Sequence, residues 1–382
     1  MTKDVAKKVI NMLFDMYDKN NDTFINHKTQ AIILDFIGGE PLMNVELIDY
    51  ICSTFVDECI KRDHPWQYTW RASMISNGKY YFTEETQKFL NKFKGSISFG
   101  ITLDGPKEIH DACRIYPDGT GNFNDAYKAF LHYNKHFLQT STTKMTIAPE
   151  NLLNLHSVIK FFIENQSNEI NLNCIFEHEW TIDEGRLLYQ ELKKTADYIL
   201  KIGNDSDIMV SIFDNTIGKR KELNDDQNWC GGTMAMLSFD PEGLAYPCIR
   251  YMSSSLGDER APLIIGSADG LFVTKEQQDL RDYLESITRI TQSTQECIDC
   301  PIASGCAWCS AWNYQETGSV NKRSTHICNA HKARVLANVY FWNKYYINNN
   351  IDKVFPMNCP KEWALEIIDE DEYNMLVELT KR

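Results

Sequence analysis

The hydrophobic positions of this chain predict an amphipathic helix followed by alternating strands and helices. Between residues 2 and 17, apolar side chains recur at the spacing of a helix with one buried face. A β-branched run at residues 31–37 ends at Gly38-Gly39 and is followed by a helical pattern at residues 44–60. The chain is therefore predicted to begin with a helix that no strand precedes and to continue with a strand-to-helix unit.

The same unit recurs along the first half of the chain. Further strands are predicted at residues 72–76, 97–103, 144–147 and 170–175, with helices after residue 83, near residues 124–137, and from residues 151 and 181. Such alternation predicts an α/β fold with a parallel sheet, in which five strands each precede a helix and a first strand is missing. In the strand at 97–103, large and small residues alternate, so we expect the large set to face the helices and the small set to line a barrel.

The periodic pattern stops after about Ile202, and a cysteine-rich segment follows. We predict a partial barrel at residues 1–205, a connecting segment at 206–229, a cysteine-rich module at 230–333, and a C-terminal helix and docked tail at 334–382. A chain of 382 residues with 43% hydrophobic content is long enough to bury one barrel-sized core and a smaller module.

Charge and composition narrow the possible partners. The net charge of −14 and the lack of a Lys/Arg cluster argue against a nucleic-acid surface. No stretch has the length and hydrophobicity of a signal peptide or a membrane span, so we expect a cytoplasmic protein without a membrane partner. In such a chain, twelve cysteines with seven of them at loop-like spacings favour a metal over disulfides.

The spacing of these seven cysteines is specific. Cys230 and Cys248 are separated by a segment containing Gly243, and the run Cys297-x2-Cys300-x5-Cys306-x2-Cys309 is followed by Cys328 after eighteen more residues. A two-residue spacing lets both sulfurs reach one metal centre, and it is shared by iron-sulfur and zinc sites. Structural zinc takes four ligands per ion, and seven cysteines are not a multiple of four. The spacing alone leaves iron-sulfur and zinc open.

A second motif, Gly38-Gly39-Glu40-Pro41, follows the first predicted strand. This position is the carboxyl face on which barrel enzymes build their sites. The two glycines permit close backbone approach to a ligand, and the Glu40 carboxylate can accept from an ammonium group. By itself the motif also suits an ordinary turn between a strand and a helix.

The cysteine series resembles the SPASM module of radical S-adenosylmethionine (radical SAM) enzymes that mature ribosomally made peptides, including thioether-forming maturases with cysteine-repeat targets. The segment from Phe36 to Leu42 is similar to the SAM-binding strand of these enzymes. Thr102-Leu-Asp-Gly-Pro106, followed by the segment from His110 to Arg114, is similar to their next conserved segment. One departure is the two-residue spacing between Cys306 and Cys309, where the family usually has three.

The resemblance implies a partial (β/α)6 TIM-like radical SAM barrel, here without its first strand, and a C-terminal iron-sulfur SPASM module. It implies contacts to SAM from Gly38, Gly39, Glu40, Pro41, Asn77, Thr102, Asp104 and Arg114. It also implies two auxiliary 4Fe-4S clusters, one held by Cys297, Cys300, Cys306 and Cys328 and the other by Cys230, Cys248 and Cys309. The second set lacks a fourth thiol, so we expect an open iron for a substrate cysteine, unless Cys174 or Cys359 fills it.

The family's Cys-x3-Cys-x2-Cys loop, which holds the SAM-cleaving cluster, does not occur in this sequence. Cys52 and Cys59 fall within a predicted helix and are interpreted as core residues. Because the loop and the first strand are missing together, we expect an N-terminally truncated chain, with a degenerate family member as the alternative. On this interpretation the chain alone is inactive in SAM cleavage.

The function implied by the resemblance is hydrogen abstraction from a cysteine-containing precursor peptide and thioether formation, with a flavodoxin or ferredoxin as electron donor. Three alternatives stay open: an anaerobic sulfatase-maturase-like enzyme, a non-catalytic peptide-binding iron-sulfur protein, and a zinc-stabilised scaffold. No catalytic residue is assigned. Glu177, His178 and Glu179 after the last predicted barrel strand are candidates for a base or for a polar barrel rim.

Overall fold

A computed structural model describes residues 1–22, 24–137, 143–165, 167, 169–203, 208–227, 230–233 and 235–381 of the chain. The first half contains, in order, α1 (Lys3–Lys19), β1 (Ile32–Phe36), α2 (Val45–Lys61), β2 (Trp70–Ser76), α3 (Glu84–Lys92), β3 (Ile97–Ile101), α4 (Lys107–Cys113), α5 (Phe123–Phe137), β4 (Thr143–Ile147), α6 (Leu155–Glu164), β5 (Glu169–Cys174), α7 (Ile182–Ile202) and β6 (Met209–Val210). The predicted strands and helices are confirmed, whereas α4 and β6 were not predicted. Of the predicted connecting segment, residues 206–207 and 228–229 lie outside the described residues.

Local side-chain contacts explain where the barrel helices begin and end. The Thr83 hydroxyl accepts from the backbone N–H of Thr86 and caps α3. At α7, Thr181 and Glu184 form a reciprocal capping box. Helix α1 ends at Asn20, whose φ of 48° lies in the left-handed region that terminates helices.

The barrel strands are parallel, as predicted, but they form two sheets. One sheet has the order β1-β2-β3 and the other β4-β5-β6. Strand β6 was missed because two residues are too few to show an alternating pattern. The observed fold is therefore a partial parallel α/β barrel, divided within the described residues between β3 and β4.

Strand β3 shows which face of the sheet packs against helices. Ile97, Phe99 and Ile101 are buried, and Phe99 lies 5.7 Å from Tyr81 and 5.1 Å from Tyr133 of α5 between ring centroids. The intervening Ser98 is exposed on the opposite face. The expectation that the large set faces the helices is confirmed.

The second half is built from short elements that lead into one long helix. These elements are β7 (Ser238–Phe239), β8 (Leu244–Tyr246), α8 (Ser253–Leu256), β9 (Gly266–Ser267), β10 (Gly270–Leu271), α9 (Lys275–Glu285), α10 (Arg289–Gln292), α11 (Gln295–Asp299), α12 (Ser310–Thr317), α13 (Cys328–Asn348), α14 (Lys361–Ile367) and α15 (Glu370–Leu379). Strands β7 to β10 form a small antiparallel sheet.

Helix α13 joins the two halves. It was predicted near residues 333–346 but begins at Cys328, so the predicted boundary between residues 333 and 334 lies inside it. It packs along α7; the tail helix α14 packs against both, and α15 packs against α13 and α14. Within the tail, Glu372 accepts from the Tyr189 hydroxyl at 2.5 Å and pairs with Lys193 at 2.7 Å, as expected of a docked tail. In the described part of the chain, every helix is too short or too polar to cross a bilayer.

Candidate functional site

A cleft of about 260 Å³ lies at the carboxyl ends of β1, β2 and β3. Its lining includes five residues that were predicted to contact SAM, namely Gly39, Glu40, Asn77, Thr102 and Arg114. Ile75, Cys113, Ile115, Tyr116 and Asn122 complete it. Gly38, Pro41 and Asp104 adjoin the cleft in sequence without lining it. The parallel strands thus bring three separate motifs together at one edge of the sheet.

The Glu40 carboxylate ties the end of β1 to the end of β2. Its Oε1 accepts from the Ser76 hydroxyl at 2.8 Å and from the backbone N–H of Leu42 at 3.0 Å. Its Oε2 accepts from the backbone N–H of Asn77 at 2.7 Å. An ionised carboxylate has about four acceptor positions, so three are used within the chain. Glu40 is therefore first of all a brace, with one acceptor position left for a ligand.

The glycines of the cleft differ in what they do. At Gly78, φ is +85°, and an added Cβ would lie 2.7 Å from the Cα of Ala126, so backbone geometry and packing both require glycine. An added Cβ at Gly38 or Gly39 would meet none of the described atoms within 4 Å. Packing among the described residues therefore does not explain the glycine pair, and its contact with a ligand stays a prediction.

Arg114 is oriented toward the cleft by a hydrogen-bonded network. Its Nε donates to Asp104 Oδ2 at 2.6 Å, and its terminal amino groups have no hydrogen-bond partner among the described residues. The backbone N–H of Asp104 donates to His110 Nδ1 at 3.1 Å, and His110 Nε2 donates to Asn122 Oδ1 at 2.6 Å. Burial lowers the pKa of His110, which keeps the imidazole neutral and Nδ1 an acceptor.

This network separates the predicted roles of Asp104 and Arg114. Asp104 holds Arg114 in place, and the side chain that lines the cleft is that of Arg114. The side chain of Asn122 also donates to the Asn77 carbonyl at 3.4 Å and so connects the network to β2. Sequence reasoning missed Asn122, because it lies in a loop before α5 and belongs to no recognisable motif.

The four cysteines of the first predicted set interact electrostatically with one another, and we call Cys297, Cys300, Cys306 and Cys328 the four-thiol group. Cys328 keeps part of its surface exposed, but desolvation of its thiol and the nearby Cys306 and Cys297 raise its pKa to about 12. Desolvation, with Cys306 and Cys297 close by, likewise raises the pKa of Cys300. These thiols would release protons on binding a metal.

The cysteines of the second predicted set also lie together, and we call Cys230, Cys248 and Cys309 the three-thiol group. Desolvation raises the pKa of Cys248 to about 11, with further contributions from Cys309 and Cys230. A Cβ added to Gly232 would lie 3.4 Å from Cys230 Sγ and 3.7 Å from Cys248 Sγ, so both sulfurs border one glycine. The backbone N–H of Trp312 donates to Cys309 Sγ at 3.4 Å.

A buried arginine lies beside the thiols of the four-thiol group. Among the described residues, no three His, Cys, Asp or Glu side chains converge closely enough to hold one metal ion. In a 4Fe-4S cluster each thiolate binds its own iron, so the sulfurs surround the group without converging. Beside Cys297 and Cys306, the Nη1 atom of Arg289 is buried and has no hydrogen-bond partner among the described residues. Ligation itself stays a prediction.

The remaining cysteines are placed elsewhere. Cys52 and Cys59 are fully buried in the hydrophobic core, which confirms their interpretation as core residues. Cys359 interacts electrostatically with Cys300 of the four-thiol group. Cys174 interacts electrostatically with Arg334. The structure thus gives no support to Cys359 or Cys174 as the missing ligand of the three-thiol group.

Glu177 and His178, which follow β5, are engaged in structural contacts, whereas Glu179 is exposed. Glu177 pairs with Arg250, which also lies close to Cys248 and Cys309. His178 Nε2 lies 2.8 Å from Glu184 Oε2, inside the cap of α7. These contacts favour the polar-rim interpretation over that of a base, and the Glu177–Arg250 pair connects the barrel rim to the three-thiol group.

Comparisons with known proteins agree with this architecture. No protein-family model matches the chain. The chain is 21% identical over 302 residues to the radical SAM cyclopropyl synthase TigE of Paramaledivibacter caminithermalis, an alignment that covers 76% of this chain and 56% of that protein. The chain thus spans about half the length of this curated relative.

Solved structures of anSMEcpe share the fold. With bound AdoMet and the Kp18Cys peptide, the TM-score is 0.62 at 16% identity, with 92% of this chain and 91% of that chain covered. With bound AdoMet and the Cp18Cys peptide, the TM-score is 0.63 at 17% identity, with 92% of each chain covered. The resemblance to radical SAM peptide maturases is confirmed, and the chain shares its α/β fold with the anSMEcpe structures over 92% of its length.

Proposed function

We propose that this chain is a radical SAM protein of peptide maturation, with a SAM-binding cleft and two auxiliary-cluster sites. The observation that carries the proposal is the cleft at the carboxyl ends of β1 to β3, where Gly39, Glu40, Asn77, Thr102 and Arg114 meet. The similarity to a radical SAM cyclopropyl synthase supports the same reaction class.

In this proposal each side of the cleft recognises one part of the methionyl group. The backbone of Gly38, Gly39 and Pro41 and the remaining acceptor position of Glu40 bind the ammonium. The terminal amino groups of Arg114 bind the carboxylate, since a guanidinium fork matches a carboxylate in two parallel hydrogen bonds. Asp104 holds that guanidinium in position.

The two thiol groups are proposed to hold auxiliary 4Fe-4S clusters, which supply electron transfer and a Lewis-acidic iron when bound. The four-thiol group would hold one cluster completely. The three-thiol group would leave one position for a substrate thiolate. The sequence contains no Cys-x3-Cys-x2-Cys segment, so we propose that this polypeptide alone does not cleave SAM.

We propose a cysteine-containing precursor peptide as the substrate and a thioether as the product. One solved structure of anSMEcpe contains bound AdoMet and the Kp18Cys peptide, which supports a peptide that carries cysteine. The Glu177–Arg250 pair joins the barrel rim to the three-thiol group, which supports a substrate sulfur held near the barrel mouth. A flavodoxin or ferredoxin as electron donor and a cytoplasmic location stay predictions.

Calorimetric titration with SAM tests the cleft directly. We expect Arg114→Gln to weaken SAM binding at least tenfold, because the carboxylate loses a charged partner in a partly buried position. The control is Arg220→Gln, which removes an exposed arginine that pairs with Asp299. Equal affinities of wild type and Arg114→Gln would contradict the proposed cleft.

Metal analysis after anaerobic reconstitution tests the thiol groups. We expect about eight iron and about eight acid-labile sulfide per chain, from two 4Fe-4S clusters. Cys328→Ala is expected to remove about half of the iron, and so is Cys309→Ala. Zinc without sulfide would instead favour a zinc-stabilised scaffold.

Product analysis separates an enzyme from a binding protein. The chain alone is expected to form no 5′-deoxyadenosine, whereas a chain joined to a Cys-x3-Cys-x2-Cys segment ahead of residue 1 is expected to form it. Formation of a thioether is expected to lower the mass of the peptide by two hydrogen atoms and to remove one free thiol. A joined chain that binds SAM and peptide without forming 5′-deoxyadenosine would favour a non-catalytic peptide-binding protein.

A further inference from the structure

A second cavity, of about 120 Å³, lies beside the four-thiol group. Its lining includes Cys297, Cys306 and three cationic side chains, those of Lys221, Arg289 and Arg323. Lys221 pairs with Asp225, which also lines the cavity, at 3.0 Å. Arg289 and Arg323 form no ion pair with a carboxylate among the described residues, so two positive charges beside the thiols stay uncompensated by the chain itself.

Arg323 contacts a thiol of the group directly. Its Nη2 donates to Cys306 Sγ at 3.0 Å and to the Cys306 carbonyl at 3.4 Å. Its Nη1 donates to Ser293 Oγ at 3.4 Å, and its backbone N–H donates to the Gln292 carbonyl at 3.0 Å. The guanidinium is therefore fixed in one orientation against the sulfur.

Arg289 is buried, with 3% of its surface exposed. Its Nε donates to the Asp225 carbonyl at 2.8 Å and its Nη2 to the Glu222 carbonyl at 2.9 Å, whereas Nη1 has no partner among the described residues. A buried guanidinium with an unpartnered donor is costly unless an anionic group accepts the remaining hydrogen bond. The anionic group that the neighbouring thiols suit is a thiolate-bound cluster, whose sulfides accept hydrogen bonds.

The three-thiol group has a different charge environment. Its nearby cation, Arg250, is already paired with Glu177, which offsets the positive charge. The contact to Cys309 Sγ comes from a neutral backbone N–H, that of Trp312. The two thiol groups therefore differ in the net positive charge that the chain places beside them.

Resting on the proposed function, we propose that Arg323 and Arg289 are positioning residues that hold the cluster of the four-thiol group and raise its reduction potential. Uptake of one electron from an external reductant adds one negative charge to a group that four thiolates already make negative. Positive charge and N–H donors stabilise this reduced state more than the oxidised one.

A redox titration of the reconstituted full chain, followed by electron paramagnetic resonance of the reduced clusters, tests this inference. Cys309→Ala identifies the signal of the four-thiol group by removing the other cluster. In Arg323→Gln, the ratio of reduced to oxidised four-thiol cluster at a fixed potential is expected to fall about tenfold, a shift of about 59 mV for one electron. Arg323→Lys, which keeps the charge, is expected to shift less.

The controls separate this inference from the proposed function. The exposed Arg220→Gln is expected to leave both midpoints unchanged, and Arg323→Gln is expected to leave the three-thiol midpoint unchanged. A full iron content with the four-thiol midpoint unchanged in Arg323→Gln would overturn the inference alone. If Arg323→Gln loses iron, the same titration is made on Arg289→Gln, which removes the other charge, and an unchanged midpoint at full iron content then overturns the inference. Wild type without iron and sulfide would overturn the proposed clusters as well.

Discussion

Glu40 combines a structural role with its place in the cleft. Three of its acceptor positions are used by the Ser76 hydroxyl and by the backbone N–H groups of Leu42 and Asn77. Hydrogen bonds to an ionised group are about twice as strong as neutral ones. Glu40 thus fixes the relative position of two strand ends before any ligand is bound.

We expect Glu40→Gln to lower the free energy of unfolding by about 2 kcal/mol. In the variant, the backbone N–H of Asn77 faces a neutral amide in place of the charged carboxylate, and its hydrogen bond is weakened or lost. Urea unfolding measures this change. The control Glu46→Gln removes an exposed carboxylate paired with Lys3 and is expected to leave stability close to that of wild type, because solvent screens exposed ion pairs. Equal stability losses in the two variants would contradict the bracing role of Glu40.

His331 makes the stability of the folded protein depend on pH. It is buried, and its Nε2 donates to the Ile302 carbonyl at 2.6 Å. Burial lowers its pKa to about 4, and the nearby Arg334 and Arg323 act in the same direction. The folded protein therefore keeps this imidazole neutral while the unfolded chain protonates it near pH 6.5.

Because the unfolded state binds the extra proton, stability falls as the pH decreases from about 6.5 toward 4. We expect His331 to account for a loss of about 2 kcal/mol between pH 7 and pH 5. Urea unfolding of wild type and His331→Gln at equal iron content measures this part, with the exposed His27→Gln as control. An identical pH slope in wild type and His331→Gln would contradict the assignment.

At the scale of elements, α13 is unusual in being buried on nearly all sides while carrying buried asparagines. Asn338 accepts from the backbone N–H of Asp214 at 2.8 Å and donates to the Ile212 carbonyl at 2.9 Å. Asn343 forms the same two bonds with Phe355, each at 2.9 Å. Asparagine side chains of this helix thus form hydrogen bonds with backbone groups of two irregular segments.

We expect Asn343→Leu to leave the N–H and C=O groups of Phe355 unpaired inside the protein, at a cost of about 2 to 4 kcal/mol. Hydrogen exchange at the Phe355 amide is the measurement, and the expected result is an increase of at least tenfold. The control Asn348→Ala changes an exposed residue at the end of the same helix. Unchanged exchange at Phe355 in Asn343→Leu would show that the bond does not hold this segment.

At the scale of the whole molecule, polar contacts hold the cysteine-rich half against the barrel. The backbone N–H of Trp180 donates to the His326 carbonyl at 3.0 Å, and Arg334 donates to the carbonyls of Ile212 and Ser211 at 3.0 and 3.1 Å. At Gly305, φ is +77°, and an added Cβ would lie 2.2 Å from Ile217 Cγ2. The loop that carries Cys300 and Cys306 therefore packs closely on the segment that leaves the barrel.

Metal removal should affect the two halves differently. We expect chelation to increase hydrogen exchange at least tenfold in residues 295–309, where short elements depend on the cysteines, and to leave β2 and β3 unchanged, because a metal bound to native ligands contributes to folding. Hydrogen exchange with mass-spectrometric detection measures both halves in one experiment. Equal exchange at residues 295–309 before and after chelation would contradict a structural role of the metal.

The sequence determined the order of elements and the position of the main motifs. Helix and strand periodicity depend on neighbouring residues, so α1, β1, α2 and most later barrel elements were predicted within a few residues, whereas the short elements β7 to β10 and α8 to α12 were not. The placement of Gly38-Gly39-Glu40 at the carboxyl end of a strand followed from the same local pattern. The short β6 and the loop residue Asn122 were missed, because neither has a pattern that extends over several residues.

The tertiary structure decided which side chains meet. It showed that Glu40 braces β2, that Asp104 holds Arg114, and that Arg323 lies against Cys306. Each of these contacts joins residues that are between ten and about forty positions apart in the sequence. Their distances depend on how strands and helices pack, which no local spacing specifies. The sequence therefore determined the chemical groups available, and packing determined which groups act on one another.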